Sequence, residues 1–214
     1  MDLTWHGHGC FRLRGKNAAA VTDPFPPSLG IKLPKLEANL ITVSHGHENH
    51  SHVDACAKGA RIVDGPGEYE VAGIMVFGIG SFHDSVGGAE KGRNVIYVIE
   101  VDDVRVCHLG DLGHRLDEET VEKIGSVDVL LVPVGGRNSL SAGAAADIVR
   151  LIEPRTVIPM HYSIPGVKKE LDAVDTFLQE MGVTEAAPVN KLAVMASVSG
   201  GEGETKVVVL EPRL

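Results

Sequence analysis

The chain is poor in the residues that mark several common protein classes. Aromatics make up 4% of its 214 residues, with a single Trp, and there are three cysteines. Cys10, Cys56 and Cys107 are odd in number and widely spaced, with no CxxC pair. They make neither a disulfide framework nor a thiolate metal motif, which suits a reducing compartment, so a cytoplasmic location is expected. No apolar run approaches the ~20 residues of a membrane span. The N-terminus, Met1-Asp2-Leu3-Thr4-Trp5-His6, lacks the basic and apolar pattern of a targeting segment. No membrane partner is therefore expected. Positive charge is also scarce: 20 Lys and Arg stand against 29 Asp and Glu, for a formal charge of -9. That balance argues against a long polyanion, so nucleic acid is not expected as a partner. There is no repeat, low-complexity tract or linker. With 43% hydrophobic residues the chain can bury a substantial core, and a single domain over 1–214 is expected. A homo-oligomer is compatible with these features.

What the chain has in excess is histidine, ten in all. Three fall within Ser44-His45-Gly46-His47-Glu48-Asn49-His50, directly after the apolar run Leu40-Ile41-Thr42-Val43. The run reads as a buried strand, which puts the histidines on the turn leaving its C-terminal end. In α/β sheets that rim is where ligands bind. Imidazoles crowded on one short turn offer neutral nitrogens that converge on one point, as a zinc-type ion requires.

Along the chain, a strand broken by Gly7 and Gly9 is expected over 1–13 and a second over 18–22. The piece Pro24-Phe25-Pro26-Pro27 must be a loop, since proline cannot pair inside a sheet. Strands are expected over 39–44 and 60–63, with a short helix over 50–58 between them and a turn-dense loop over 64–69. The apolar, glycine-containing 71–80 reads as a strand or hairpin. Strands over 94–101 and 104–109, joined at Asp102-Asp103, form a hairpin. Asp117 can cap a helix over 118–124, and Ser141 one over 144–152. The nearly all-apolar 127–134 is a strand buried on both faces, and 156–160 is another. A helical period over 168–181 stops at Gly182, and two last strands over 191–198 and 206–210 flank the loop 199–204. Strands dominate the first half and strand–helix alternation the second, which suggests an α/β architecture of two sheets packed face to face with helices outside.

Other strand ends carry further candidates: His83-Asp84, Asp111 after Gly110, and His161. The order His45-x-His47-x-Asn49-His50, His83, Gly110-Asp111, His161 resembles the metallo-β-lactamase superfamily. Trp5-x-Gly7-His8, Asp23-Pro24-Phe25, Asp64-Gly65-Pro66-Gly67-Glu68-Tyr69, Gly110-Asp111-Leu112-Gly113 and Ile158-Pro159-Met160-His161-Tyr162 are similar to its branch of small bacterial Zn-dependent hydrolases. That branch is related to the ascorbate-6-phosphate lactonases and to the phospholipase D that cleaves N-acylethanolamine lipids. The resemblance implies a four-layer αβ/βα sandwich with a binuclear site between the sheets. It implies Zn2+, one or two ions, with Mn2+ or Fe2+ as alternatives. His45, His47 and His83 would hold one ion, and Asn49, His50 and His161 the other, with Asp111 bridging. A metal-activated hydroxide would then attack a carbonyl or phosphoryl centre of a small-molecule ester, lactone or phosphoester.

The chain departs from the family pattern at Asn49, where an Asp is expected. An amide oxygen offers a dipole where a carboxylate offers a charge, so the second site should be weaker. This leaves open a metal-binding protein with reduced or no catalysis, and a nuclease is a further alternative. Glu48 can substitute only if the turn relaxes. Asp23 matches an acidic residue that would hydrogen-bond a ligand histidine and fix its tautomer. His8, in the matching Gly-His motif, would face the site from behind the ligands, or else is a buried, satisfied histidine. His108 is an alternative to His83, with Cys107 beside it; a residue inside a strand is more often core. His6, His52 and His114 read as structural or surface residues. Glu68 and Tyr69 are candidates for the pocket rim, and Arg137 in the loop 135–138 for contact with an anionic substrate.

Overall fold

The structure is a computed structural model that describes residues 1–137, 139–196 and 204–214. The predicted site-loop residue Asn138, the end of the strand expected over 191–198 and most of the loop expected over 199–204 lie outside the described residues.

The chain opens with two strands rather than one. β1 (Asp2–Trp5) and β2 (Phe11–Arg14) form an antiparallel hairpin, because Gly7 (φ 96°) and His8 (φ 52°) turn the backbone back on itself. β3 (Ala19–Thr22) follows antiparallel to β2; β4 (Leu40–Thr42) and β5 (Arg61–Val63) then add in parallel. The second sheet begins with two hairpins. β6 (Gly67–Val71) and β7 (Ile74–Phe82) join through Ala72-Gly73; β8 (Arg93–Val101) and β9 (Val104–His108) join through Asp102-Asp103. Both two-residue turns have positive φ at each position, whose twist matches that of the flanking strands. The expected loop 64–69 is thus partly strand, and Glu68 and Tyr69 pair with Phe77 and Val76 on β7 rather than rimming the site.

The second half alternates as expected. Asp117 caps α1 (Glu118–Ile124) by accepting from the Thr120 N–H, and Ser141 caps α2 (Ala142–Ile152) by accepting from the Ala144 N–H. β10 (Val129–Pro133) is buried at every position and lies parallel between β9 and β11 (Thr156–Met160), the environment of a strand covered on both faces. Two predicted helices are cut back. Over 50–58 only a 3-10 turn at Val53–Ala55 forms, because the amides of His52 and Ala57 bond to the carbonyls of Pro24 and Leu36 instead of to a preceding turn. The helix expected over 168–181 shrinks to α3 (Val174–Glu180), since the N–H groups of Lys168 and Asp172 reach out to the carbonyls of Leu29 and Gly135. β12 (Leu192–Ala193) and β13 (Lys206–Val207) are short edge strands, one in each sheet.

The six-stranded sheet runs β12-β1-β2-β3-β4-β5, and the seven-stranded sheet runs β13-β11-β10-β9-β8-β7-β6. One apolar core lies between them, contributed by Leu3, Trp5 and Phe11 on one side and by Tyr97, Ile99, Leu131 and Ile158 on the other. The buried Tyr97 hydroxyl crosses it, reaching the carbonyls of Val43 and Val63 at 3.1 and 3.2 Å. The outer face of the first sheet is closed by a smaller cluster, in which Val21 and Ile41 pack under Phe25, Leu29, Ile31 and Leu33. Loop and 3-10 turns make that outer layer, while α2 packs on the second sheet and α3 packs on α2. This is the αβ/βα sandwich with one helical layer thinned. Its parallel strands β3, β4, β9, β10 and β11 expose their C-terminal ends where a ligand crevice is expected.

A candidate metal centre

That edge gathers the candidates. Asp23 ends β3, the histidine turn leaves β4, His83 follows β7, Asp111 follows β9 and His161 follows β11. A nitrogen from each of His45, His47 and His83 lies within 4.8 Å of the others; the same holds for His8, His50 and His161. Asp111 stands between the two groups. Its Oδ2 is 3.2 Å from Nε2 of both His50 and His83 and 3.8 Å from that of His45, and its Oδ1 is 3.2 Å from His161 Nε2. All of these groups are buried except His47, which is exposed and marks the open side.

The strands position Asp111 and the histidines through a few buried polar residues. Gly110 (φ 61°) allows the turn into Asp111; a Cβ there would collide with the Asn94 side chain and meet Ser44 Cβ at 2.7 Å. Asn94 accepts from the Asp111 N–H at 3.0 Å while its amide donates to Ser81 Oγ and the Leu109 carbonyl. Asp23, in the left-handed region at φ 38°, accepts from the Ser44 N–H and hydroxyl. Its Oδ2 also accepts from His50 Nδ1 at 2.8 Å, and Ser44 Oγ accepts from His45 Nδ1 at 2.9 Å. One carboxylate therefore fixes the tautomers of two imidazoles, leaving the Nε2 lone pair of each free toward Asp111.

Those lone pairs have no hydrogen-bond partners. Among the described residues, buried side-chain atoms left unpaired include His45 Nε2, His50 Nε2, His83 Nδ1, both ring nitrogens of His161, His8 Nδ1 and Asp111 Oδ1. Buried polar atoms are almost always paired, because an unpaired one forfeits its hydration for nothing. A ring of such atoms around a carboxylate fits a divalent cation: borderline nitrogen donors plus one shared oxygen. The electrostatics agree for His45, whereas His50 would have to give up a proton to bind an ion. Burial, and then the neighbouring His50, lower His45 to about 3, so it is held neutral as a ligand must be. Burial works against charge on His50, but Asp111 and Asp23 on either side raise it to about 9. Burial likewise opposes ionised Asp111, yet His161 and His50 hold it well below the usual carboxylate range.

The remaining candidates divide. The Asn49 side-chain amide lies 2.7 Å from His8 Nε2. Glu48 turns toward Ser28 at the edge of the cavity, 3.4 Å from its hydroxyl. His108 is core: its Nε2 donates to the Gly9 carbonyl at 2.9 Å and its Nδ1 accepts from the Gly110 N–H at 3.1 Å, so both nitrogens are spent. Burial pushes the neighbouring Cys107 thiol up to about 12. His6 bonds the Arg213 carbonyl, and His114 accepts from the Phe82 N–H, as structural residues do. Arg137 pairs with Asp172 at 3.6 Å. A cavity of about 380 Å³ opens over the centre, lined by His47, Glu48, Asn49, His83, Lys91, Asp111 and Lys169. A second, of about 390 Å³, adjoins it through His47 and Lys91 and reaches Arg93. The positioning roles of Ser44 and Asn94 and the placement of Lys91 and Lys169 escaped sequence reasoning. Asn94 carried a signal, a polar residue directly before the buried run Val95–Ile99; the lysines carried none.

Residues 2–161 match the sequence profile of the beta-lactamase superfamily domain. The chain belongs to the beta-lactamase superfamily. Relatives within it include a metal-dependent hydrolase of the UPF0173 family from Thermoplasma acidophilum, 32% identical over 191 residues, covering 76% of this chain and 84% of the relative. A UPF0173 protein from Pyrococcus abyssi is 30% identical over 200 residues, covering 80% and 90%. Among solved structures, a Thermotoga maritima protein assigned to the Zn-dependent hydrolases of the metallo-beta-lactamase superfamily superposes with a TM-score of 0.78, at 38% identity over 98% of this chain and 97% of that one. The superfamily fold accounts for two sheets that deliver histidines from separate strand ends to one edge. No helix among the described residues is long and apolar enough to cross a membrane.

Proposed function

We propose that this superfamily member is a metal-dependent hydrolase acting on a small anionic ester, lactone or phosphoester. The observation that carries the reading is Asp111 set between two groups of three imidazoles, five of which (all but the exposed His47) have at least one buried ring nitrogen without a partner. His45, His47 and His83 would hold one ion, His50 and His161 would contribute to a second, and Asp111 would be shared. Zn2+ suits this nitrogen-rich set best, with Mn2+ or Fe2+ as alternatives. A divalent ion in such a site supplies Lewis acidity and a water whose pKa falls toward ~7.

The chain's own residues do the rest. Asp23 keeps the His50 and His45 rings turned so that their free lone pairs face inward. Lys91 and Lys169 line the cavity above Asp111 and favour a substrate carrying a negative group beside the scissile bond. The second reading, a metal-binding protein with reduced catalysis, is favoured by Asn49, whose amide brings no charge to the centre.

The test is metal content of the purified protein together with a screen of phosphodiester, lactone and ester substrates under defined metal loading. Divalent ions should co-purify, and His45→Ala should abolish whatever hydrolysis is found. A protein that takes up no divalent ion refutes the metal-dependent reading, and a His45→Ala variant that keeps full activity places the chemistry away from this centre; metal uptake with no turnover of any substrate supports the second reading.

A further inference from the structure

We propose that His8 is a ligand of the second half of this centre, in the place that residue 49 holds in the superfamily pattern, and that Asn49 positions its ring. This rests on the metal-centre reading above and adds to it a residue that the ordered histidine motif does not contain.

His8 is 1% exposed, and its ring lies 4.0 Å from that of His161 and 4.6 Å from that of His50, centroid to centroid. A nitrogen of each of the three falls within 4.8 Å of the others. The backbone that carries the ring is clamped. The His8 carbonyl accepts from Trp5 Nε1 at 3.0 Å and from the His161 N–H at 3.2 Å. The next carbonyl, of Gly9, accepts from the Thr22 hydroxyl at 2.8 Å and from His108 Nε2 at 2.9 Å. His8 is held at φ 52° and His161 at φ 55°, a left-handed conformation that costs a branched or bulky side chain free energy. An ordinary buried histidine would have both nitrogens paired, as His108 does. His8 has Nε2 against the Asn49 amide and Nδ1 unpaired.

The amide explains the arrangement. An asparagine offers either its oxygen or its nitrogen, and only the surrounding bonds decide which faces a partner. With Oδ1 accepting from Nε2–H, the ring is locked in the tautomer that leaves the Nδ1 lone pair free. That is the usual service of an outer residue to a ligating imidazole. The second half of the centre would then have three imidazoles and one shared carboxylate. Exchanging an anionic oxygen for a neutral nitrogen moves its preference from Mn2+ toward Zn2+.

The test is the affinity of each ion, measured by equilibrium dialysis of the full chain against Zn2+ and, separately, Mn2+. His8→Asn is the variant of choice, since asparagine tolerates positive φ; retained first-ion binding and an unchanged far-UV spectrum report that it folds. Wild-type protein should bind two Zn2+. His8→Asn should keep the first and weaken the second by more than the ~100-fold that loss of an outer residue can cost, while Asn49→Ala should weaken it by only ~10-fold. An unchanged second Zn2+ in His8→Asn, a larger loss in Asn49→Ala than in His8→Asn, or a wild type that binds a single ion each overturns the assignment of His8 and leaves the hydrolase reading standing. A wild type that binds no ion overturns both.

Discussion

At the scale of single residues, Asp23 has more influence than its position outside the histidine cluster suggests. It accepts from His50 directly and governs His45 through the Ser44 hydroxyl, so one carboxylate sets the direction of two lone pairs. Asp23→Asn keeps the shape and the tolerance of positive φ but disturbs that order, since an amide must also place an NH2 among these donors. Metal affinity should fall by ~10- to 100-fold, read by competition with a chromophoric chelator. The identity of the groups that converge on Asp111 was visible in the sequence, because imidazoles and a carboxylate at strand ends are recognisable by type and order. Their orientation was visible only in part: Asp23 is expected to fix the tautomer of a ligand histidine, but which ring it holds, and that it governs two, is not legible. Which nitrogen of His45 or His50 faces Asp111 depends on Asp23, which the chain brings to the site from β3.

At the scale of elements, the loop after β7 is organised by one side chain. Asp84 accepts from the N–H groups of Val86, Gly88, Glu90 and Lys91, at 2.7 to 3.0 Å. Burial opposes its charge, but these four donors prevail and lower its carboxyl from 3.8 to about 2. The stabilisation is present above the ordinary carboxylate pKa and is lost as the pH falls toward about 2. Asp84→Asn, which imitates the protonated form, should melt at a lower temperature than wild type at pH 7. The two melting curves should converge as the pH is lowered through 3.8. A constant gap across that range would mean that the charge of Asp84 contributes nothing. The loop carries Lys91 into the cavity, so the variant should also raise KM for an anionic substrate. Elements with strong local signals came out as the sequence indicates: both side-chain caps and the hairpin turn at Asp102-Asp103. The helices expected over 50–58 and 168–181 did not, because their amides found partners in distant loops, and helical propensity is a weak preference beside a tertiary hydrogen bond.

At the scale of the whole molecule, the Tyr97 hydroxyl links the two sheets beside the site. It projects from β8 and donates into a space shared by the carbonyls of Val43 and Val63 on the opposite sheet. Burial raises the Tyr97 pKa, so the group remains a protonated donor. The Val43 carbonyl lies one residue before Ser44, so this bond also anchors the root of the histidine turn. Tyr97→Phe leaves a buried carbonyl unpaired and should cost about 1–3 kcal/mol, measured by chemical denaturation. A loss well below that range would show that the packing alone holds the sheets together.

The sequence by itself determined which residues could bind a cation, because ligand chemistry belongs to side-chain type and the strand-end positions follow from apolar runs and turn residues. It also determined the caps and tight turns, which depend on neighbours a few positions apart. Only the tertiary structure decided that His8 stands in the ring of imidazoles, that Asn49 faces His8, that Asn94 holds Asp111, and that Lys91 and Lys169 overlook the cavity. Each of these joins residues far apart in the chain. No local pattern encodes such a pairing; it exists once two sheets have packed and their strand ends share an edge.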